Sequence, residues 1–428
     1  MTAGRTWTCA IVGIALAGLA GACASREPAP AARGPASPSF AEFDRRACEG
    51  GTFRVVCFGA SLTWGANATD PAVTSYRAVL AGLFEARYPK ARFRFHDAAI
   101  GGTNSQLGVF RLERDVLRQD PDLVFLDFSA NDDINSGDPE TLASYEAILR
   151  RLVTEARVPV VQVLFPFKWN IGRAALPKMK RRDAHIALSA AYRTGLGDAI
   201  ALIVDRVEAK QETLDGIWET DGVHPGDRGY ALFAEAAWKG YCGAVAAGRV
   251  CEAPAKPVHA DTYAAARRFR LASLDPLPAR WTCGKPRLTA CNHDWLMSRW
   301  LDALAVASNA GPDKKVSAEP VPRLKVKVHG TALFLFGECT PESGRFRVWI
   351  DGKPVSGNPS QVKGTDLFEG NRWQTGNGFL YYEVARGLDP KIPHVVEIEP
   401  VFAGDKPQEL RLESLCVAGG TATVERIE

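Results

Sequence analysis

One pattern repeats between Thr52 and Val204 and limits the folds open to this chain. Short strand-like runs alternate with segments of helical periodicity. Phe53–Phe58, Arg92–His96, Leu123–Leu126, Val158–Leu164 and Ala199–Val204 read as strands, most of them apolar at nearly every position. Between them, Tyr76, Val79, Leu80, Leu83 and Phe84 fall at i, i+3, i+4, i+7 and i+8, which is one face of a helix. Leu107–Leu117, Leu142–Val153 and Arg228–Val245 also read as helices. A strand without a polar face has to be covered on both sides, so the pattern implies a parallel sheet with helices above and below it. Right-handed crossovers then give a three-layer α/β/α fold, with its ligand site beyond the carboxyl ends of the strands.

Past Cys251 the pattern changes. Pro254, Pro257, Pro276, Pro278, Pro320 and Pro322 punctuate the chain. Alternating strands come after them at Leu324–Val328, Ala332–Phe336, Phe346–Ile350, His394–Glu399 and Glu409–Leu412, with Asp351-Gly352 as a hairpin signal. Short strands with turn signals between them imply an all-β sandwich or jelly roll. A chain of 428 residues exceeds one ordinary core. We therefore expect residues 1–23 to be a signal segment, 24–50 a tether rich in Pro and Ala, 51–255 the α/β domain and 256–428 the β-sandwich domain.

The leader has Arg5 ahead of an unbroken apolar and small stretch, Ala10–Ala20, too short to span a bilayer comfortably. Ala20-Gly21-Ala22-Cys23 then resembles a bacterial lipoprotein signal, in which Cys23 is the lipidation candidate and the one route to a membrane. Cleavage at a small-x-small site with full release is the competing reading, and both imply an exported protein of the periplasm or cell envelope. Of 10 cysteines, Cys9 and Cys23 lie in the leader. Cys48, Cys57, Cys242, Cys251, Cys283, Cys291, Cys339 and Cys416 form an even set compatible with disulfides, and Cys242 with Cys251 and Cys283 with Cys291 would close local loops. With no CxxC and no His at ligand spacing from a Cys, zinc is disfavoured, and no metal or organic cofactor is expected. A net charge of +3 gives no electrostatic case for nucleic-acid binding. The densest basic run, Lys178–Arg182, reads as a solvated face or loop.

The chemistry lies in the loops at the strand ends. The first strand runs into Gly59-Ala60-Ser61-Leu62-Thr63-Trp64-Gly65, which places a serine on a tight turn at the mouth of the sheet. The second runs into Ile100-Gly101-Gly102-Thr103-Asn104-Ser105, where Gly102 can bring its backbone N–H close to a ligand. Ser129-Ala130-Asn131-Asp132 comes after the third strand, and Thr220-Asp221-Gly222-Val223-His224-Pro225 precedes the last helix.

These four blocks, in this order over roughly Gly51 to Gly248, resemble the SGNH hydrolases, also called GDSL-type esterases and lipases. The resemblance implies Ser61 as nucleophile, His224 as general base and Asp221 as its orienting carboxylate. It implies an oxyanion hole formed by the N–H groups of Ser61 and Gly102 and the side-chain amide of Asn131. A serine hydroxyl needs such a base at neutral pH, and the oxygen charge that builds during attack needs such donors. Ala60 stands where the commoner motif has Asp, outside the triad. Ser129 stands where Gly is common, and is expected to alter substrate approach beside the oxyanion hole.

The implied activity is a serine esterase working through an acyl-enzyme on a carboxylic ester, with short O-acetyl groups on polysaccharide favoured. The C-terminal half resembles the β-sandwich modules attached to SGNH esterases that act on carbohydrate. There Trp281, Trp295, Trp300, Trp373, Tyr381 and Tyr382 fit either sugar stacking or sandwich core, the latter being the commoner fate of aromatics. A lipase or lysophospholipase, with the segment from Phe165 to Lys180 as lid, and an O-acetyltransferase are alternatives on the same fold. A carbohydrate-binding protein without turnover is the alternative of another class. His185 reads as structural.

Overall fold

The computed structural model describes residues 36–287, 303–311, 313–317, 319–371 and 378–427. The signal segment with Cys23, the first part of the expected tether (24–35), Cys291, Trp295, Trp300 and Trp373 lie outside the described residues.

The α/β part runs α1 (Phe40–Glu49), β1 (Gly51–Gly59), the single turn α2 (Ser61–Trp64), α3 (Tyr76–Arg87), β2 (Ala91–Ala99), α4 (Ser105–Asp115), β3 (Leu123–Leu126), α5 (Pro139–Arg151), β4 (Val160–Leu164), α6 (Lys180–Tyr192), β5 (Gly195–Asp198), α7 (Ala199–Glu208), α8 (Leu214–Ile217) and α9 (Asp227–Ala246). The strands form one parallel sheet in the order β2-β1-β3-β4-β5. Strand order reverses at β1, so the carboxyl ends of β1 and β3 flank the switch point where such sheets hold ligands. Helices α1, α3, α7 and α9 pack as one group, and α4, α5 and α6 as another.

Three expectations need correction. The tether ends before residue 40, because Phe40, Phe43 and Ala47 recur on one face of α1 and are buried. Phe43 meets Phe53, Phe84 and Tyr241 edge-on, and the Ser39 hydroxyl caps the helix by accepting the Glu42 N–H. Ala199–Val204 is helix rather than strand. Asp198 caps it by accepting the Ala201 N–H, and Ile200, Ile203 and Val204 form its buried face. The fifth strand is the preceding Gly195-Leu196-Gly197-Asp198, which carries no apolar run because α9 lies directly on it. A Cβ on Gly197 would fall 2.7 Å from Ala236 O, and one on Gly240 would fall 2.5 Å from Leu196 C. Cys242 and Cys251 do not pair: Cys242 sits half-buried on α9, while the Cys251 sulfur lies under β4 and accepts from the Val160 N–H at 3.5 Å. The Cys283–Cys291 pairing falls partly outside the described residues.

Two antiparallel sheets complete the chain. One has the order β14 (Gly378–Ala385), β10 (Ala332–Cys339), β16 (Glu409–Ala418), β8 (Leu304–Ser308), β7 (Trp281–Gly284), with β6 (Ala266–Arg270) also on β16. The other has the order β12 (Lys353–Pro354), β11 (Arg345–Ile350), β15 (His394–Val401), β9 (Leu324–His329), β17 (Thr423–Arg426), with β13 (Phe368–Glu369) on β11. Strand β9 alternates buried Leu324, Val326 and Val328 with more exposed neighbours, as a one-sided sheet must. Strand β10 is buried throughout. Its Leu333 and Leu335 enter the sandwich core, while Ala332 and Phe334 join the core of the α/β part. Phe334 meets Phe110 of α4 at 5.4 Å, so the two architectures share an apolar seam. Trp281 and Tyr382 belong to the sandwich core.

Helix α4 is therefore enclosed on nearly every side, and it buries Arg111 completely. The guanidinium donates to Ala98 O and Gly59 O, both at 2.6 Å, pairs with Asp115 at 3.0 Å and lies over the Phe58 ring. It thus ties the ends of β1 and β2, where the serine and glycine loops begin. We expect Arg111→Met to lower unfolding free energy by roughly 3–5 kcal/mol in urea titration, as loss of a buried ionic partner does. Arg111→Lys should recover little of it, because one ammonium cannot reproduce a planar fork. A change below about 1 kcal/mol, the level of an exposed pair, would contradict this role.

Candidate catalytic site

Ser61 is the first residue of α2, two residues past Gly59 at the end of β1. Only glycine fits at position 59, since a Cβ there would fall 2.1 Å from Thr63 Oγ1 and 2.6 Å from Asp127 O. The chain can then turn at once, and the Trp64 and Gly65 N–H groups close the helical turn on Ala60 O and Ser61 O. The side chains expected at the site meet there. His224 Nε2 is 3.0 Å from Ser61 Oγ, and His224 Nδ1 is 3.3 Å from Asp221 Oδ2. Asp221 Oδ1 accepts the backbone N–H groups of Val223 at 2.6 Å and His224 at 2.7 Å, so one turn fixes the carboxylate and the imidazole together.

Asn67 was not foreseen from the sequence. Its Nδ2 donates to Asp221 Oδ2 at 2.8 Å, the same oxygen that faces the imidazole. It takes φ 68°, a region that Asn tolerates better than most residues. That preference, two residues past Gly65, is the only hint the sequence carried. Burial alone would raise the Asp221 pKa. The hydrogen bonds from the His224 N–H, the Asn67 amide, the Val223 N–H and the His224 ring outweigh it and hold the carboxyl below its usual range. Asp221 is thereby kept as the anion that an imidazolium partner requires.

Gly102 lies within the loop from β2 to α4 with φ 71°, and a Cβ built on the adjacent Gly101 would lie 3.6 Å from Ser61 Cβ. The glycine pair therefore lies against Ser61. A Cβ on Gly102 would meet the ring of Phe379 at 3.7 Å, so strand β14 of the sandwich supplies one wall beside this loop. Asn131 lies beyond β3, half-buried, and its buried Oδ1 has no hydrogen-bond partner among the described residues.

Ser129 does not border a substrate path as expected. It is fully buried; its hydroxyl donates to Asp127 Oδ1 at 2.7 Å and accepts the Phe165 N–H at 2.9 Å. It replaces glycine as a strut between the ends of β3 and β4. Burial pushes Asp127 up to about 7 against the two hydrogen bonds from Ser129. Burial likewise pushes Asp132 up to about 6, against the opposing charge of Arg181 and the N–H of Ser105. The basic run is not wholly solvated either: Arg181 is buried 3.7 Å from Asp132, donating to Asp133 O at 3.1 Å and to Thr141 Oγ1 at 2.5 Å. It holds the loop that carries Asn131. His185 is buried with its ring stacked on Tyr145. The segment considered as a lid folds into two 3₁₀ turns, Lys168–Asn170 and Arg173–Lys178, and the Lys168 N–H donates to Gly222 O at 2.8 Å.

The arrangement is suited to removing the Ser61 proton and returning it to a leaving group. Residues 57–232 match the GDSL-like Lipase/Acylhydrolase family. An acetylxylan esterase of Geobacillus stearothermophilus is 29% identical over 177 residues, covering 38% of this chain and 78% of that protein. Among solved structures, a two-domain esterase active on acetylated mannans superposes with a TM-score of 0.66 at 20% identity, over 89% of this chain and 95% of that one. Its complex with mannopentaose gives 0.65 at 20% identity, over 89% and 94%. These superpositions extend the shared fold across both the α/β part and the sandwich.

This geometry has two testable outcomes. Asn67→Ala should lower kcat on a simple ester about tenfold with little change in KM, because an imidazole less firmly held is a poorer base. An equal loss in KM alone would contradict a positioning role. For Asp127, the folded pKa is raised above 3.8, so its contribution to stability is full below that value and is lost as pH rises towards 7. Asp127→Asn keeps an acceptor for Ser129 and removes this dependence. Its urea midpoint should gain on the wild type steadily from pH 4 to pH 8; a constant difference would refute the assignment.

Proposed function

Residues 57–232 carry a GDSL-like lipase/acylhydrolase domain, and from that premise we propose that this carboxylic ester hydrolase removes short acyl groups, O-acetyl above all, from carbohydrate through a Ser61 acyl-enzyme. The observation that carries the reading is the unbroken line from Ser61 Oγ through His224 to Asp221, at 3.0 and 3.3 Å. Ser61 Oγ attacks the ester carbonyl as its proton passes to His224 Nε2. Asp221, held by Asn67 and two backbone N–H groups, stabilises the imidazolium. The N–H groups of Ser61 and Gly102 and the Asn131 amide receive the negative oxygen, each worth about 3 kcal/mol in comparable sites. His224 then gives its proton to the departing sugar oxygen. Water repeats the sequence on the acyl-enzyme and frees the acid.

The choice of substrate is supported by the relatives' named activities on acetylated xylan and acetylated mannans. The segment considered as a lid is edged by ion pairs, Lys168 with Asp215 and Arg173 with Asp205 and Glu208, a border that suits a sugar better than a long acyl chain. We further place the enzyme outside the cytoplasm, on the strength of the apolar leader and Cys23.

The test measures acetate release from acetylated xylan and mannan oligosaccharides, and hydrolysis of 4-nitrophenyl acetate, butyrate and octanoate. We expect acetate release, a rate falling with chain length, and a loss of about 10³-fold or more in Ser61→Ala. A rate rising with chain length, or acetyl transfer to a sugar acceptor in place of release, would overturn the reading.

A further inference from the structure

An isolated exposed apolar side chain is ordinary on a protein surface, so exposure by itself marks nothing. Trp169 differs in where it stands and how firmly it is held. It is 63% exposed, and one edge of its indole lies against Gly222, the residue between Asp221 and the Val223-His224 pair. A Cβ on Gly222 would fall 3.0 Å from Trp169 Cζ3 and 3.2 Å from Cε3. The turn that presents it is fastened on both sides. The Lys168 N–H donates to Gly222 O at 2.8 Å, and buried Asn170 accepts the Phe167 N–H at 2.9 Å. The Phe167 ring backs the indole at 4.9 Å. A large apolar surface is thus held in water by buried polar contacts, at a fixed place beside the catalytic turn.

Its side of the site has a chemical meaning. His224 hands its proton to the leaving oxygen, so the leaving group of the ester lies on the His224 side. The acyl group and its developing oxyanion belong to the Gly102 side, where Phe379 forms the wall. In a carbohydrate ester the leaving group is the sugar. We infer that the Trp169 indole is the platform on which a pyranose ring of the substrate stacks as its ester enters the site. This rests on the carbohydrate-esterase reading above and adds the subsite to it. A pyranose offers an apolar C–H face with hydroxyls around its rim. The indole offers a matching face, bordered by polar groups, among them the Lys168–Asp215 ion pair at 2.6 Å. A lipid acyl chain would need an enclosed apolar trough instead.

The experiment compares wild type, Trp169→Ala and Trp169→Phe on acetylated xylan and mannan oligosaccharides and on 4-nitrophenyl acetate. Its readout is the ratio of kcat/KM for glycan to that for the aryl ester. Trp169→Ala should lower this ratio about tenfold, chiefly through KM for glycan, the size of one lost aromatic contact. Trp169→Phe should recover most of it. A ratio unchanged in Trp169→Ala, or a loss that Phe does not repair, overturns the platform. A parallel titration of Ser61→Ala and Ser61→Ala/Trp169→Ala with the same oligosaccharides, by isothermal calorimetry, separates the two claims. If the wild type releases no acetate from any glycan yet binding is lost with Trp169, the esterase reading fails and the platform stands. If acetate is released and binding is equal in both, the platform fails and the esterase reading stands.

Discussion

The fork of Arg111 holds together the two strand ends on which the site is built. Near the ends of β1 and β2, Gly59 O and Ala98 O both accept from one buried guanidinium, and Gly59 O also accepts the Ile100 N–H at 3.2 Å. A buried arginine is tolerable only if its donors are used and its charge is met, and Asp115 meets it. The consequence is mutual position: Ser61 lies two residues beyond Gly59, and the Gly101-Gly102 turn lies just beyond Ala98. A second buried arginine, Arg181, does similar service for the Asn131 loop through Asp133 O and Thr141. The three loops that converge at the switch point are thus set from beneath, leaving the upper side open.

From above, the opening has two unlike walls. Phe379 reaches the Gly102 loop from the β-sandwich, a strand remote in sequence and joined to the α/β part by the seam along Phe110 and Phe334. Trp169 stands beside the Asp221–His224 turn, on the 3₁₀ turn bolted to Gly222. In the proposed reaction, the acyl group meets the first and the sugar the second. The sandwich then shapes the catalytic cleft itself, beyond any part it plays as an appended module.

Much of this could be read from the sequence where local physics dominates. The apolar runs of β1, β3 and β4 read as strands covered on both faces and are so, and the tight turns after them carry their own residue chemistry. Asp221 and His224 were legible because one turn holds both. What escaped was set by tertiary packing. Gly195-Leu196-Gly197-Asp198 lacks an apolar run because α9 presses on it, and the helix after it supplied the run instead. The apolar face of α1 hides among charged neighbours within a segment whose start is rich in proline. Arg181 looked like surface charge, and only the fold brings Asp132 beside it. Asn67, Trp169 and Phe379 reach the site from loops and a strand whose meeting no periodicity encodes.

In the proposed reaction Ser61 forms a covalent intermediate with His224 as its base. The most direct measurement is intact-protein and peptide mass spectrometry after treatment with a 4-nitrophenyl phosphonate, which traps an activated serine. We expect one adduct per chain, on the peptide bearing Ser61, forming far more slowly in His224→Ala. An adduct on another residue, or none while ester hydrolysis persists, would contradict it.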